Sequence, residues 1–237
     1  MNQPNWFQAI IDLLQAIIGG IAVALVIYWL DERRAERDRK LSDFRIASNW
    51  EVSSPKVSMR NFQLSDTNLS GCDLSTANLE NANFRKAGLH GIKFSKANLR
   101  RTNFQATSLR GTKVNDVIAY HINFSDAQIG RETDIQEKLP VDFSGSNLFE
   151  GSFRKAKIHQ ALFIKTNLVG TDFTSAIVKK CDFTDADLTD SKWRRVKQVE
   201  NCIWKDVKGV AEDNFPPELW KEIQRQNARP LKKRKTK

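Results

Sequence analysis

The amino-acid sequence predicts a solenoid that turns a corner every five residues, with one apolar helix before it and a short helix after it. Three observations predict this. A bulky apolar residue recurs at five-residue spacing through most of the chain, a small residue stands two places before it, and the long apolar run lies apart, at Ala9–Leu30. A period of five fits neither the 3.6 of a helix nor the 2 of a strand.

The first element is the run AIIDLLQAIIGGIAVALVIYWL. At ~1.5 Å per residue it reaches roughly 33 Å, enough for a hydrocarbon core of ~30 Å. Trp6 and Phe7 flank one end, and Tyr28 and Trp29 the other, as interfacial aromatics do. Arg33, Arg34, Arg37, Arg39 and Lys40 follow immediately. That bias places the C-terminal side in the cytoplasm, so residues 1–30 are expected to cross the inner (cytoplasmic) membrane once with the amino terminus outside. A cleaved signal peptide would carry its positive charge before the apolar run instead. Ala16, Gly20 and Ala24 form a small-residue stripe at four-residue spacing, a candidate face for helix association and homo-oligomers. Residues 31–53 are charged and helix-forming, a stalk ended by Ser53-Ser54-Pro55, because the residue before proline disfavours helical geometry.

The repeat occupies residues 54–204. Its bulky positions run from Met59 through Leu64, Leu69, Leu74, Leu79 and Phe84 to Ile129, and resume from Phe143 to Trp193, twenty-six in all. The small position holds residues such as Ala77, Ala82, Ala97, Thr102 and Ala156, and Asn or Asp often sits between the two, as at Asn78, Asn98 and Asp187. Two inward side chains per corner share one narrow lumen, so one must be bulky and the other small. Asn and Asp suit corners because they bond neighbouring backbone. Phe62, Ile92 and Ile122 put large residues at small positions, so the turn is expected to widen there.

The triplets Ala77-Asn78-Leu79, Ala97-Asn98-Leu99 and Ala186-Asp187-Leu188 resemble the A-(D/N)-L-x-x signature of the pentapeptide-repeat family. The resemblance implies an all-β solenoid, a right-handed quadrilateral β-helix with four repeats per coil. About six and a half coils stacked ~4.8 Å apart would give a rod of roughly 30 Å.

Between Ile129 and Phe143 the spacing is not a multiple of five, so a loop at about 130–140 leaves the coil. Arg131, Glu132, Asp134, Gln136, Glu137 and Lys138 are its candidate partner contacts, since loops on rigid scaffolds carry recognition. Asn201-Cys202-Ile203-Trp204 reads as a shifted last repeat. Residues 205–228 hold a helix starting near Pro216 and Pro217, with Leu219, Trp220 and Ile223 closing the open coil. The tail, 229–237, supplies six of the net +10 charges. Its Lys232, Lys233, Arg234 and Lys235, with Arg33, Arg34 and Arg37, are candidate contacts to anionic lipid headgroups.

No catalytic, metal or cofactor motif is present. His90, His121 and His159 are expected to be separate and outward-facing. Cys72, Cys181 and Cys202 are scattered thiols without ligand spacing, which suits a reducing compartment. The expectation is a non-enzymatic, membrane-tethered scaffold or adaptor presenting a rigid rod to a cytoplasmic protein partner whose identity the sequence leaves open. Two further readings are a topoisomerase-protecting protein, by family analogy, and an oligomerising membrane effector that perturbs the bilayer. The mildly basic repeats and the anchor argue against DNA mimicry, and no nucleic-acid partner is expected.

Overall fold

A computed structural model describes residues 6–50, 58–131 and 140–227, with side chains in the first helix given for Gln15 and from Gly20 onward. The chain separates into two units, residues 1–42 and 43–237. One uninterrupted helix, α1 (Trp6–Ser48), runs through most of the expected span and of the stalk. It ends well before Pro55, where Ser48 Oγ and Asn49 Nδ2 both donate to the Arg45 carbonyl at 3.2 and 2.9 Å. The Asn49 N–H donates to the same carbonyl at 3.2 Å, so side chains reinforce the last turn.

In the second unit the five-residue period becomes a four-sided coil. Gln63, Asn83, Asn103, Asn123, Ser152, Asp172 and Lys192 bridge in parallel, one above the next. Three further ladders start at Asn68, Asp73 and Asn78, so among the described residues each side stacks seven layers. Short strands lie within these ladders. Strands β1 (Ser108–Leu109), β2 (Gln128–Ile129), β4 (Lys157–His159), β6 (Ile177–Lys179) and β7 (Gln198–Glu200) pair in that order, and β3 (Val141–Asp142) pairs with β5 (Ala161–Leu162). The register step is 20 residues from Gln128 back to Ser108 but 29 from Lys157 back to Gln128. The insertion therefore adds nine residues to one coil, and the rest of that coil stays in phase. A second slip, of one residue, falls between Lys192, paired with Asp172, and Gln198, paired with Ile177.

Two aromatic columns fill the lumen. In one, Phe104, Phe124, Phe153 and Phe173 stack at 5.0, 5.2 and 5.1 Å. In the other, Phe143, Phe163 and Phe183 stack at 5.0 and 4.9 Å and Trp204 follows at 4.5 Å. Edge-to-face contacts join the columns, as between Phe153 and Phe163 at 5.8 Å and 85°. The hydroxyls at small positions are spent inside: Thr102, Thr112 and Ser146 donate to the carbonyls of Leu79, Leu89 and Val114 in the layer below.

The corners depart from the expectation in one respect. Asn and Asp do bond backbone, accepting from the N–H two residues on, as Asn103 does from Gln105 at 3.0 Å and Asp182 from Thr184 at 2.8 Å. The left-handed residue, however, is two places after the bulky one, where φ is positive at twenty-two non-glycine residues among those described, including Lys86, Arg101, Gln160 and Lys165. Such residues cost roughly 1–2 kcal/mol each relative to right-handed geometry. The turn hydrogen bond from the small residue to the preceding bulky one compels them, as from Ala82 to Leu79 at 3.0 Å. Where the small position is large this bond stretches, to 3.4 Å at Phe62, 3.5 Å at Ile92 and 3.3 Å at Ile122.

Both ends of the coil are capped. At the first layer Asp43 Oδ2 accepts the Gln63 N–H at 2.7 Å, with Ala47 buried beside it. At the last, α2 (Pro217–Asn227) buries Leu219 and Ile223. Trp220 is half-buried and stacks at 6.5 Å on Phe215, which itself stacks on Trp193. Among the histidines His90 and His121 face outward, but His159, expected outside, is buried at the end of β4.

Candidate interaction surfaces

The first unit offers an apolar sleeve. Ile21, Val23, Leu25, Val26, Ile27, Tyr28, Trp29 and Leu30 are all 41–67% exposed and occupy successive directions around the helix. A helix apolar all round is one that something else covers. Arg33 lies over the Trp29 ring at 4.6 Å, and Arg34 and Arg37 are exposed on the next turns. Among the described residues no helix is long and apolar enough to cross a membrane. The side chains of most of the preceding half of the expected span lie outside the described ones. Of the expected association face, Gly20 and Ala24 are exposed, with nothing within 4 Å of a Cβ built on Gly20, while the Ala16 side chain is outside the described set.

The insertion follows Gly130, whose φ of +76° and closeness to the His159 carbonyl exclude a Cβ. Arg131 is exposed at its start. Glu132, Asp134, Gln136, Glu137 and Lys138 lie outside the described residues, as do Lys232, Lys233, Arg234 and Lys235 of the tail.

A surface not singled out from the sequence lies on the coil itself. Apart from the buried His159, the residue after the bulky one commonly points outward, and on one side these are Arg60, Glu80, Arg100, Tyr120 and Phe149. Their order follows from the 20-residue register and the 29-residue step that pairs Ile118 with Asn147. Arg60 pairs with Glu80 at 3.4 Å, and Arg100 lies over the Tyr120 ring at 5.1 Å. Tyr120 meets Phe149 edge-to-face at 6.4 Å, and His121 Nδ1 lies 3.1 Å from Glu150. Arg100, Arg101, Tyr120, His121 and Phe149, with Glu80, line a groove of about 450 Å³. Within it the Arg100 Nε is buried with no hydrogen-bond partner among the described residues. Adding twenty to each outward position would have found Arg100 and Tyr120. Phe149 required the size of the insertion.

Among the described residues no group of three or more His, Cys, Asp or Glu side chains is placed to hold a metal ion.

A profile of pentapeptide repeats matches in eight copies, over residues 63–101, 89–118 and 152–190. The matched residues are pentapeptide repeats, and they lie within the four-sided coil. Among solved structures it is similar to QnrB1, a plasmid-mediated fluoroquinolone resistance protein, at 16% identity and a TM-score of 0.37, covering 70% of this chain and 87% of that one. It is similar also to HetL of the cyanobacterium Nostoc, a protein involved in heterocyst differentiation regulation, at 20% identity and a TM-score of 0.24, covering 64% and 86%. A pentapeptide repeat protein of the Arabidopsis thaliana thylakoid lumen shares 22% identity at a TM-score of 0.29, covering 48% and 70%. No curated protein matches the sequence at a comparable level.

Proposed function

We propose that this chain is a non-enzymatic scaffold, tethered to the cytoplasmic membrane by α1, that presents its rigid coil to a protein partner. The observation that carries the reading is the sleeve Ile21–Leu30, apolar around the helix, exposed, and followed at once by Arg33, Arg34 and Arg37. Water opposes such a surface, whereas a bilayer accepts it and its headgroups hold the arginines. The apolar stretch continues back to Ala9 in the sequence, which makes the full run long enough. The arginines after the sleeve support a repeat domain on the cytoplasmic side.

The interior of the coil is given over to packing, so recognition falls to its outside. The Arg100–Tyr120–Phe149 groove combines an arginine whose Nε has no hydrogen-bond partner among the described residues with two half-buried rings, the residue types that dominate binding hot spots. Photo-crosslinking from a benzophenone amino acid at position 120 tests this, with full-length protein in its native cells. One discrete adduct, lost in Arg100→Ala, is expected. No adduct from position 120, with a specific adduct from position 131 instead, would move the contact to the loop.

A further inference from the structure

Read from the sequence, Cys181 and Cys202 are unrelated thiols. The coil stacks them. Lys179 pairs with Glu200 and Asp182 with Ile203, so the two cysteines occupy matched small positions in successive layers, beneath Phe183 and Trp204, whose rings stack at 4.5 Å and 1°. Their side chains take the same course: Cys181 Sγ donates to the Lys179 carbonyl at 3.3 Å and Cys202 Sγ to that of Glu200 at 3.4 Å. Layers so paired stand ~4.8 Å apart, inside the ~4.4–6.8 Å Cα separation a disulfide spans.

The two thiols differ in access. Cys202 is 6% exposed and lines a groove of about 480 Å³ between the last coil and α2, beside Val199, Leu219 and Glu222. Cys181 lies one layer further in, 1% exposed. Hydrogen bonding with Cys181, against the effect of burial, holds the Cys202 thiol below its ordinary value, while burial pushes the Cys181 thiol well up. A groove-lining, more acidic thiol beside a more deeply buried neighbour is the arrangement of an attacking and a resolving cysteine.

We propose that Cys181 and Cys202 form a redox pair that hydrogen peroxide converts into a disulfide between the last two coils. The Cys202 thiolate attacks one peroxide oxygen, the O–O bond breaks, and a sulfenic acid and hydroxide result. The Cys181 sulfur then attacks the Cys202 sulfur, the S–O bond breaks, and the departing hydroxide leaves as water with the Cys181 proton. Two thiols lose two electrons and two protons, and one peroxide becomes two waters. The new bond encloses the one-residue slip near residue 196 and ties the coil that carries α2 to the coil beneath it.

The experiment titrates the full chain with hydrogen peroxide, alkylates it, and digests it without reduction for peptide mass spectrometry. A Cys181–Cys202 linked peptide, lost on adding dithiothreitol, is expected while Cys72 is still alkylated. Amide exchange at residues 199–208 should slow by roughly tenfold or more in the oxidised protein. In Cys181→Ser, a dimedone-trapped sulfenic acid should accumulate at Cys202, and in Cys202→Ser, Cys181 should stay reduced. Serine already occupies small positions at Ser146 and Ser191, so both variants suit the coil. The proposal is overturned if Cys72 oxidises while the pair remains alkylatable after unfolding. It is equally overturned if Cys181 oxidises as fast without Cys202.

Discussion

The side chain of Gln226 pairs with the backbone around Trp204 as a further coil would. Its Oε1 accepts the Trp204 N–H at 2.8 Å and its Nε2 donates to the Cys202 carbonyl at 3.0 Å. Asn227 adds a bond to the Trp204 carbonyl at 2.7 Å. A helix thus ends a ladder whose exposed edge would otherwise recruit another strand.

Gln226→Ala should therefore lower stability by about 1–3 kcal/mol, the cost of leaving partly buried backbone groups unpaired. Chemical denaturation measures the loss. Amide exchange should show its largest increase at Trp204 rather than in the central coils.

Gly151 and Ile122 share one column across the insertion. A Cβ on Gly151 would stand 3.2 Å from Ile122 Cγ2 and 2.9 Å from the Leu148 carbonyl oxygen. Gly151→Ala should cost about 1–3 kcal/mol through overpacking. Adding Ile122→Ala should return part of that cost, with a coupling of at least ~0.5 kcal/mol in a double-mutant cycle. The same volume exchange explains Ala119, a small residue at a bulky position, flanked by the buried Val117 and Ile122.

Acid should weaken the coil through Asp172. Burial raises its pKa, but hydrogen bonds from Thr174 and the Arg154 guanidinium at 2.9 Å outweigh that and hold the carboxyl below its ordinary value. The folded state thus binds this proton less readily than the unfolded chain. The stabilisation is complete above the ordinary carboxylate value of about 4 and is lost as pH falls through the lower native one. Asp172→Asn should flatten the pH dependence of the unfolding midpoint on the acid side. Parallel urea titrations from neutral to strongly acid pH check this.

The repeat was legible because packing repeats: Leu79, Phe84 and Leu89 each fill the same lumen and so recur in the sequence. What was illegible depends on numbers that local pattern does not carry. Phe149 meets Tyr120 only because the register steps by nine extra residues, and Cys202 stacks on Cys181 only because one residue slips near Lys197. The N-terminal cap was hidden for another reason. Asp43 and Ala47 sit in a charged segment with ordinary helical composition, and their burial is imposed by the coil they close. The left-handed corners are only partly marked by Gly, Asn and Asp, since the turn also accepts Lys, Arg, Glu and Ser.

Tethering is tested most directly by membrane flotation after alkaline carbonate extraction, comparing the full chain with Ile21→Arg/Val23→Arg. Both positions are exposed on α1, and each arginine costs ~2.5–3.5 kcal/mol near a bilayer centre. The account predicts that the unmodified chain floats with membranes and that the double variant stays with the soluble fraction. An unmodified chain that fails to float, or a double variant that still does, would contradict it.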